Sequence, residues 1–248
     1  MLASETSMKN PLGKKVGLPK SYDPSLLFPI YRSEQRSQLD DFLCSGYDAW
    51  NIHELLWVDH DNNVHHDEIC IKIDANSVAI PESKSMKLFL GSLIYKKFSN
   101  KAAVHQEITK QLNKLTESDI IIDNALLNLP KSRSFQVIKC EEDLLEANGS
   151  KVSEKEIIFN GFRSLCPVTD QPDIANIHIT GKLSDDAVHK IQRYLGSFFS
   201  VNIFHEACVE KISLNLMRNK YSVESVAGHF ERRGGISIIP IRFQSSNN

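Results

Sequence analysis

Long hydrophobic runs are missing from this sequence of 248 residues. No stretch approaches the roughly 20 consecutive apolar residues that a membrane-spanning helix requires. Residues 1–15 also contain no apolar segment of the kind that a secretory signal carries. The formal net charge of −2 gives no electrostatic reason to expect direct binding of nucleic acid or of a membrane surface. We therefore predict a cytoplasmic globular protein.

Cysteines are few and scattered, and they are Cys44, Cys70, Cys140, Cys166 and Cys208. Their number is odd and no CxxC pair occurs, which argues against a disulfide framework and against a structural zinc site. The polar stretch DHDNNVHHD, residues 59–67, comes nearest to a metal-binding cluster. Because it separates two alternating apolar runs, we interpret it as a hairpin turn and expect no metal site.

The first part of the chain combines an irregular arm with a strand-rich unit. Residues 1–45 are rich in Pro, Ser and Lys and show little periodicity, so we predict an extended arm. Apolar periodicity then predicts strand, strand, helix, helix, strand and strand over residues 50–59, 68–78, 83–98, 100–115, 118–127 and 134–140. The polar stretch 141–154, which contains Asn-Gly, is predicted to be a linker.

The second part of the chain repeats this order of elements. Periodicity predicts two strands, two helices and two strands over residues 156–162, 174–180, 183–199, 203–219, 221–230 and 235–243. A short sequence match accompanies the repeat, FLGSL at 89–93 and YLGSF at 194–198. We therefore predict an α+β fold of two tandem copies, residues 46–140 and 155–248, with antiparallel sheets and a helix pair on one face.

The stretch SLCPVTDQPD, residues 164–173, connects the first two predicted strands of the second copy. A loop held between two strands is exposed and yet positioned, which suits a reactive group. In one interpretation Cys166 attacks a substrate as a thiolate, and Asp173 protonates the group that is attacked. In the other, the stretch is a stiff turn with a small apolar Cys and a solvated Asp. These residues alone leave both interpretations open.

The stretch PESKS, residues 81–85, begins the first long helix of copy one. Ser83, Lys84 and Ser85 suit phosphate binding there, because a helix N-terminus offers free N–H groups and a positive dipole end. Glu82 suits the N–H donors of a ligand. A helix cap with solvated charges explains the same residues without any ligand.

The stretch FHEACVE, residues 204–210, begins the matching helix of copy two. His205 can relay protons, and Glu206 can accept paired N–H donors such as those of a guanine-like ring. An amphipathic helix with its apolar residues turned inward explains this pattern equally well.

The stretch ERRGG, residues 231–235, joins the last two predicted strands. Two Arg next to two Gly, namely Arg232, Arg233, Gly234 and Gly235, favour an anion site suited to a phosphate monoester. A hairpin turn with exposed Arg side chains is the alternative.

Taken together, these motifs resemble one family. NPLGK, GYDAWNIHELLW, PESKSMKLFL, SLCPVTDQPD, FHEACVEKI and RRGGISI occur in the order found in the NADPH-dependent 7-cyano-7-deazaguanine reductases of queuosine biosynthesis. The resemblance is to the longer, bimodular class and covers most of the chain. It implies two tandem tunnelling-fold units, NADPH as cofactor, a small-molecule substrate, no direct contact with nucleic acid, and a homodimer.

The resemblance also implies roles for individual residues. Cys166 would attack the nitrile carbon to form a covalent thioimide, Asp173 would protonate the nitrile nitrogen, and His205 would lie beside the reacting carbon. The residues implied for the deazaguanine ring are Pro81, Glu82, Ser83, His205 and Glu206. The residues implied for NADPH are Ser83, Lys84, Ser85, Arg232, Arg233, Gly234 and Gly235. The sequence contains no GxGxxG motif, which is consistent with a cofactor site other than a Rossmann crevice.

Two other functions use the same kind of fold. An amidotransferase-like relative acting on the nitrile in tRNA would keep the Cys and Asp but need no NADPH. A non-catalytic protein would bind a purine-like or pterin-like ring without turnover. The sequence departs from the bimodular pattern at Leu165, where Asn is usual, and at Ile174, where Trp is common. A third departure lies in the tail, where residues 237–242 read SIIPIR in place of a sequence like DINPWR.

Overall fold

The computed structural model describes residues 19–37, 39, 45–147 and 151–244, so the NPLGK motif and Cys44 lie outside the described residues. The strands are β1 (Pro29–Tyr31), β2 (Ser45–Asp59), β3 (Val64–Asp74), β4 (Ala79–Pro81), β5 (Lys97–Phe98), β6 (Ile121–Asp123), β7 (Arg133–Gln136), β8 (Ser153–Leu165), β9 (Pro172–Leu183), β10 (Ser222–Arg233) and β11 (Ile236–Phe243). The helices are α1 (Arg32–Arg36), α2 (Ser83–Ser92), α3 (Lys101–Thr116), α4 (Asp185–Leu195) and α5 (His205–Arg218). Within this described part, no helix is long and apolar enough to cross a membrane.

One nine-stranded sheet organises the fold, and β1 pairs separately with β4. The strand order is β6-β3-β2-β11-β10-β9-β8-β7, with β5 attached to β2. Neighbouring strands are antiparallel except for β7–β8 and β2–β5. Pairing of β2 with β11, in which Ile52 lies opposite Ile236, joins the two halves of the chain. The α+β class and the largely antiparallel pairing predicted from the sequence are confirmed.

Strand alternation sends large apolar side chains to the face of the sheet that the helices cover. In the first half, Trp50 and Ile52 of β2 pack with Phe89 of α2 and Ile108 of α3 in one buried cluster. In the second half, Phe159 of β8 and Ile177 of β9 pack with residues of α4 and α5 in a second cluster. Each half of the sheet therefore carries its own helix pair and its own core.

The other face of the sheet is covered in part by the chain that follows β6. Ala49, Ile239 and Ile241 are buried there, and Leu127 packs against them. The Asn51 side chain donates to the carbonyl of Leu127 (2.9 Å) and accepts from its N–H (2.8 Å). These two bonds hold the segment after β6 across the sheet rather than along its edge.

The closing strands of the first half differ from the prediction. Only residues 121–123 of the predicted strand 118–127 join the sheet, because the segment around Leu127 is drawn onto the sheet face. Strand β7 leaves the first half and pairs in parallel with β8 at the opposite edge. The described residues of the predicted linker 141–154 are partly ordered by the second half, since Leu144 is buried in the second core and β8 begins at Ser153.

The described part of the N-terminal arm packs against the first half. The Phe28 N–H donates to Ser85 Oγ (3.0 Å), and the Glu82 N–H donates to the Phe28 carbonyl (2.8 Å). Strand β1 then pairs with β4, with Ile30 opposite Ile80. This pairing places the arm next to the start of α2.

Candidate active site

A cavity of about 480 Å³ opens between the two halves of the protein. The first half contributes β1, β4 and the start of α2, and the second contributes the β8–β9 connection, the start of α5 and the β10–β11 hairpin. The sequence-predicted residues on its walls are Pro81, Glu82, Ser83, Lys84, Cys166, Asp173, His205, Glu206 and Arg233. The predicted residues that do not line the cavity are Ser85, Arg232, Gly234 and Gly235.

Cys166 lies on a tight connection between β8 and β9. Its N–H donates to the Gln171 carbonyl (2.9 Å), and its carbonyl accepts from the Asp170 N–H (3.0 Å). The carbonyl of Leu165 accepts from the N–H of Ile203 (2.9 Å), which lies just before α5. These bonds fix the cysteine loop against the start of α5, so both sit on the same wall of the cavity.

Asp173 is the centre of a charged cluster at the start of β9. Its side chain is buried, with Oδ2 3.2 Å from His205 Nε2 and Oδ1 3.2 Å from Arg233 Nη1. The His205 ring stacks on Phe230, with ring centroids 4.1 Å apart. The stacking on Phe230 and the 3.2 Å contact with Oδ2 hold the imidazole beside the carboxylate.

The start of α2 is capped by the carboxylate of Glu82. Its two oxygens accept from the N–H groups of Lys84 (3.0 Å) and Ser85 (2.7 Å). Ser85 Oγ donates to the Glu82 carbonyl and accepts from Phe28, so Ser85 belongs to the packing. Ser83 and Lys84 lie on the cavity wall. The helix N-terminus therefore orients Glu82, which takes up two of its free N–H groups.

Cationic side chains gather where α2 faces the β10–β11 hairpin. Lys87 lines the cavity one helical turn after Ser83, and burial lowers its pKa. Gly234 has a φ of +54°, and a Cβ there would lie 3.3 Å from the Lys87 side chain. Because neighbouring side chains of a strand point to opposite faces, Arg233 reaches the cavity while Arg232 pairs with Glu54.

Glu206 faces the cavity from the first turn of α5 and is only 3% exposed. Burial raises its pKa to about 7, and the buried carboxylate of Asp48 acts in the same direction. His205 and Arg32 oppose this shift. Glu206 is therefore a carboxyl group whose charge depends on its immediate neighbours.

Several cavity residues escaped the sequence analysis. Lys87 could have been predicted from the sequence, because in PESKSMKLFL its helical spacing places it on the same face as Ser83 and Lys84. No feature of the sequence indicated Ile30, since it lies in the arm predicted to be extended and reaches the cavity through the pairing of β1 with β4. Phe230 was assigned to a strand, but its contact with His205 depends on the fold.

Two of the departures from the family pattern lie off the cavity walls, whereas the third, in the tail, includes the cavity residue Ile238. Ile174 is 40% exposed, and strand alternation places it on the sheet face opposite to Asp173. Leu165 bonds to the segment before α5 through its backbone. Neither side chain lines the cavity.

Comparison with known proteins decides the family. Residues 18–124 match the model of the nitrile reductase, 7-cyano-7-deazaguanine-reductase N-terminal family, and residues 172–248 match that of the QueF-like proteins. The chain is 33% identical, over 94% of its length, to the NADPH-dependent 7-cyano-7-deazaguanine reductase of Desulfotalea psychrophila, of which it covers 91%. The chain belongs to the 7-cyano-7-deazaguanine reductase family.

Other reductases of this family match over a similar span. The enzyme of Stenotrophomonas maltophilia is 32% identical over 96% of this chain and 93% of its own length. That of Burkholderia orbicola is 33% identical over 94% of this chain and 92% of its own length. Both are named NADPH-dependent 7-cyano-7-deazaguanine reductases. The two matched ranges include the α2, α5 and β10–β11 sides of the cavity, and the cysteine loop that begins at Cys166 lies between them.

Proposed function

We propose that this protein reduces the nitrile of 7-cyano-7-deazaguanine to an aminomethyl group, with NADPH as the reductant. The observation that carries the proposal is the meeting of Cys166, Asp173 and His205 with Glu82 and Glu206 around one cavity. A nucleophile, a proton donor and two acceptors for ring N–H groups therefore face the same space. Family membership supplies the identity of the ring and of the cofactor.

The two glutamates bind the ring of the substrate. Glu206 and Glu82 approach the cavity from α5 and from the start of α2, which lie on opposite halves of the chain. Carboxylate oxygens accept the N–H donors of a guanine-like edge, and such charge-assisted bonds are stronger than neutral ones. The ring then spans the two halves, with its nitrile directed towards Cys166.

Cys166 and Asp173 carry the covalent step. The Cys166 thiolate attacks the nitrile carbon, a carbon–sulfur bond forms, and one π bond of the nitrile opens. Asp173 gives its proton to the nitrogen, which yields a neutral thioimide. His205, 3.2 Å from Asp173, holds the acid in place and can return a proton to it. The imine that forms during reduction has to be shielded from water in this cavity, because water would hydrolyse it.

The cation-rich side of the cavity fits the phosphates of NADPH. Lys84, Lys87 and Arg233 line this side, and the Lys87 chain already fills the space beside Gly234. When bound, NADPH supplies the hydrides for the four-electron reduction. Ser83 completes this wall. The chain's own residues bind and orient the phosphates through charge and backbone approach.

We also propose that the fold is a pair of tandem tunnelling-fold units, residues 46–140 and 155–248, connected by residues 141–154. The separate helix pair and core of each half support this division, except that β7 and Val137 of the first unit pack with the second. A homodimer stays a prediction from the family resemblance. A cytoplasmic location and the absence of direct nucleic-acid contact stay predictions from the sequence.

The test is the mass of the intact protein after mixing with 7-cyano-7-deazaguanine. We expect a covalent increase equal to the substrate mass, mapped to Cys166 and missing from Cys166→Ala, followed by NADPH oxidation in the complete reaction. An adduct without NADPH oxidation would favour the amidotransferase-like function. Ring binding with neither adduct nor oxidation would favour a non-catalytic binding protein.

A further inference from the structure

Resting on this proposed function, we propose that Arg36 is a positioning residue for the binding of the substrate ring. Its ion pair with Glu210 holds the N-terminal arm against α5. The arm supplies Ile30 to the cavity, and α5 supplies His205 and Glu206. Arg36 itself does not line the cavity, so it acts on the ring through the two walls that it connects.

The arm is attached to the first half of the protein by its backbone. Strand β1 pairs with β4, with Ile30 opposite Ile80, and the N–H of Arg32 donates to the carbonyl of Val78 (3.1 Å). Strand β1 ends at residue 31 and α1 begins at residue 32, so no loop separates them. Ile30 and Arg36 therefore belong to one continuous piece of structure, and a shift at one end displaces the other.

The guanidinium of Arg36 bonds to both halves of the protein. Its Nε donates to Glu210 Oε2 (2.9 Å), and its Nη2 donates to Glu210 Oε1 (2.8 Å). Nη2 also donates to the carbonyl of Ala75, which directly follows β3 in the first half (2.6 Å). Two parallel bonds between a guanidinium and a carboxylate are strong and fix the orientation of both groups. The end of α1 is therefore tied to α5 as well as to the first half.

Glu210 is a fixed acceptor, because other groups hold it independently of Arg36. Its side chain is only 2% exposed. Arg242 of β11 donates to Glu210 Oε1 from Nε (3.1 Å) and from Nη2 (2.9 Å). The same Nη2 lies 2.7 Å from Asp48 Oδ1 on β2. Glu210 is thereby fixed to the middle of the sheet, so Arg36 attaches the arm to a rigid point on α5.

This contact lies close to the part of α5 that faces the substrate. Glu206 precedes Glu210 by four residues, a spacing that places both on the same side of the helix. Without the pair, the arm keeps its bonds to the first half but loses its attachment to α5. Ile30 can then shift relative to Glu206, and a displacement of about 1 Å can cost roughly a hundredfold in a reaction that depends on position. The Arg36–Glu210 pair therefore sets the spacing of the two walls.

The first experiment measures the arm directly and without substrate. Hydrogen exchange of residues 28–36 is followed by mass spectrometry in the parent protein and in two variants. We expect exchange to become about tenfold faster in Arg36→Gln, because charge-assisted bonds that oppose local opening are lost. The increase should be smaller in Arg36→Lys, which keeps the charge but cannot form two parallel bonds. Unchanged exchange in the arm of both variants would overturn the proposal.

The second experiment measures ring binding by calorimetry in the Cys166→Ala background, with 7-cyano-7-deazaguanine as the ligand. We expect Arg36→Gln to weaken the affinity about tenfold with an unchanged number of binding sites per chain, and Arg36→Lys to weaken it less. A protein that is only less stable would show fewer active sites and an unchanged affinity. An unchanged affinity in Arg36→Gln would therefore overturn the role of Arg36.

The matched control is Leu216→Ala. Leu216 lies on the same helix and is fully buried in the second core, away from the cavity wall. Its truncation lowers stability without touching the Arg36–Glu210 pair, so we expect the ring affinity to stay at the parent value. An equal loss of affinity in Leu216→Ala and Arg36→Gln would assign the effect to general destabilisation and overturn the proposal.

A double-variant cycle with Glu210→Gln tests whether the two residues act as a pair. The loss of affinity in the double variant should be smaller than the sum of the two single losses, because each substitution alone already breaks the contact. Additive losses would overturn the pair. Failure of the Cys166→Ala parent to bind the ring would overturn the proposed function instead, and hydrogen exchange, which needs no ligand, would still decide whether Arg36 holds the arm.

Discussion

The guanidinium of Arg233 lies 3.2 Å from the carboxylate of Asp173. The residue proposed to hold the NADPH phosphates therefore contacts the residue proposed to supply the proton. Arg233 also donates to the Pro172 carbonyl, which fixes the guanidinium at the start of β9. Cofactor binding and proton donation share one side chain, so a change at Arg233 reaches both.

Substitution Arg233→Ala should affect two separate steps. We expect the KM for NADPH to rise about tenfold to a hundredfold, because a charge-assisted contact contributes about 1.5–3 kcal/mol. We also expect slower formation of the covalent adduct in the absence of NADPH, because Asp173 loses a partner that orients it. Stopped-flow absorbance measures the adduct step, and steady-state NADPH oxidation measures the KM.

The matched control is Arg232→Ala. Arg232 pairs with Glu54 away from the cavity, so both steps should stay near their wild-type rates. Equal losses in the two variants would mean that the hairpin, rather than the contact between Arg233 and Asp173, is responsible.

Substitution Asp173→Asn should slow adduct formation by roughly 10²–10⁴, the contribution typical of a positioned proton donor. Binding of the ring should persist, since Asp173 serves the nitrile nitrogen. The control is Asp170→Asn, at a turn residue with φ of +55° whose side chain accepts from Asn202. Asn tolerates this left-handed conformation, so the control should react normally. Adduct formation at the wild-type rate in Asp173→Asn would remove this residue from the mechanism.

Substitution Glu82→Gln separates helix capping from ring binding. The amide oxygen can still accept one N–H at the start of α2, so we expect less than about 1 kcal/mol loss of stability. Ring affinity should fall about tenfold or more. The amide nitrogen of Gln is itself a hydrogen-bond donor, so it cannot accept from an N–H group of the substrate ring. Ser184→Ala is the matched control: Ser184 caps α4 through the Ala187 N–H, and its loss should cost about 1 kcal/mol without changing ring affinity. Thermal unfolding and calorimetry measure the two effects.

Acidification should destabilise the protein through His178. Burial lowers its pKa to about 4, and the neighbouring His229 contributes in the same direction. An unfolded His has a pKa near 6.5, so the unfolded chain binds more protons between these two values. The contribution of neutral His178 to the free energy of unfolding is therefore fully present above about pH 6.5 and is lost as the pH falls towards 4.

Urea unfolding at neutral and at mildly acidic pH measures this loss. We expect His178→Gln to lower the difference between the two midpoints, because the substituted side chain takes up no proton. His60→Gln, on the exposed turn between β2 and β3, should leave the difference unchanged. If both variants behave like the wild type, His178 does not contribute to the acid sensitivity.

The local sequence pattern predicted much of the fold. Residues 100–115 were predicted as a helix and α3 covers 101–116, because periodicity and the Asn100 cap agree. Residues 118–127 were predicted as a strand, and only three of them join the sheet, since the paired bonds between Asn51 and Leu127 override strand propensity. No local signal reveals a bond between residues 76 positions apart.

The same limit applies to the cavity. Cys166 and Asp173 were predicted as site residues because their loop lies between two predicted strands and resembles a family motif, and both lie on the cavity wall. Ser85 was assigned to the cofactor from its position at a helix start, whereas its hydroxyl bonds to Phe28 of the arm. Which residues at the start of a helix are free to contact a ligand depends on the distant segments of the chain that pack against it.

The pairing of β2 with β11 has a consequence for folding during synthesis of the chain. These strands stand near opposite ends of the described chain, with Ser45 opposite Phe243, and they lie at the middle of the sheet. During translation, the edge of β2 that pairs with β11 stays unpaired until residues 236–243 have left the ribosome. Contacts of such long sequence separation form slowly and leave an open strand edge exposed meanwhile. The cavity, which includes Ile236 and Ile238, can receive a substrate only after this last strand has been added.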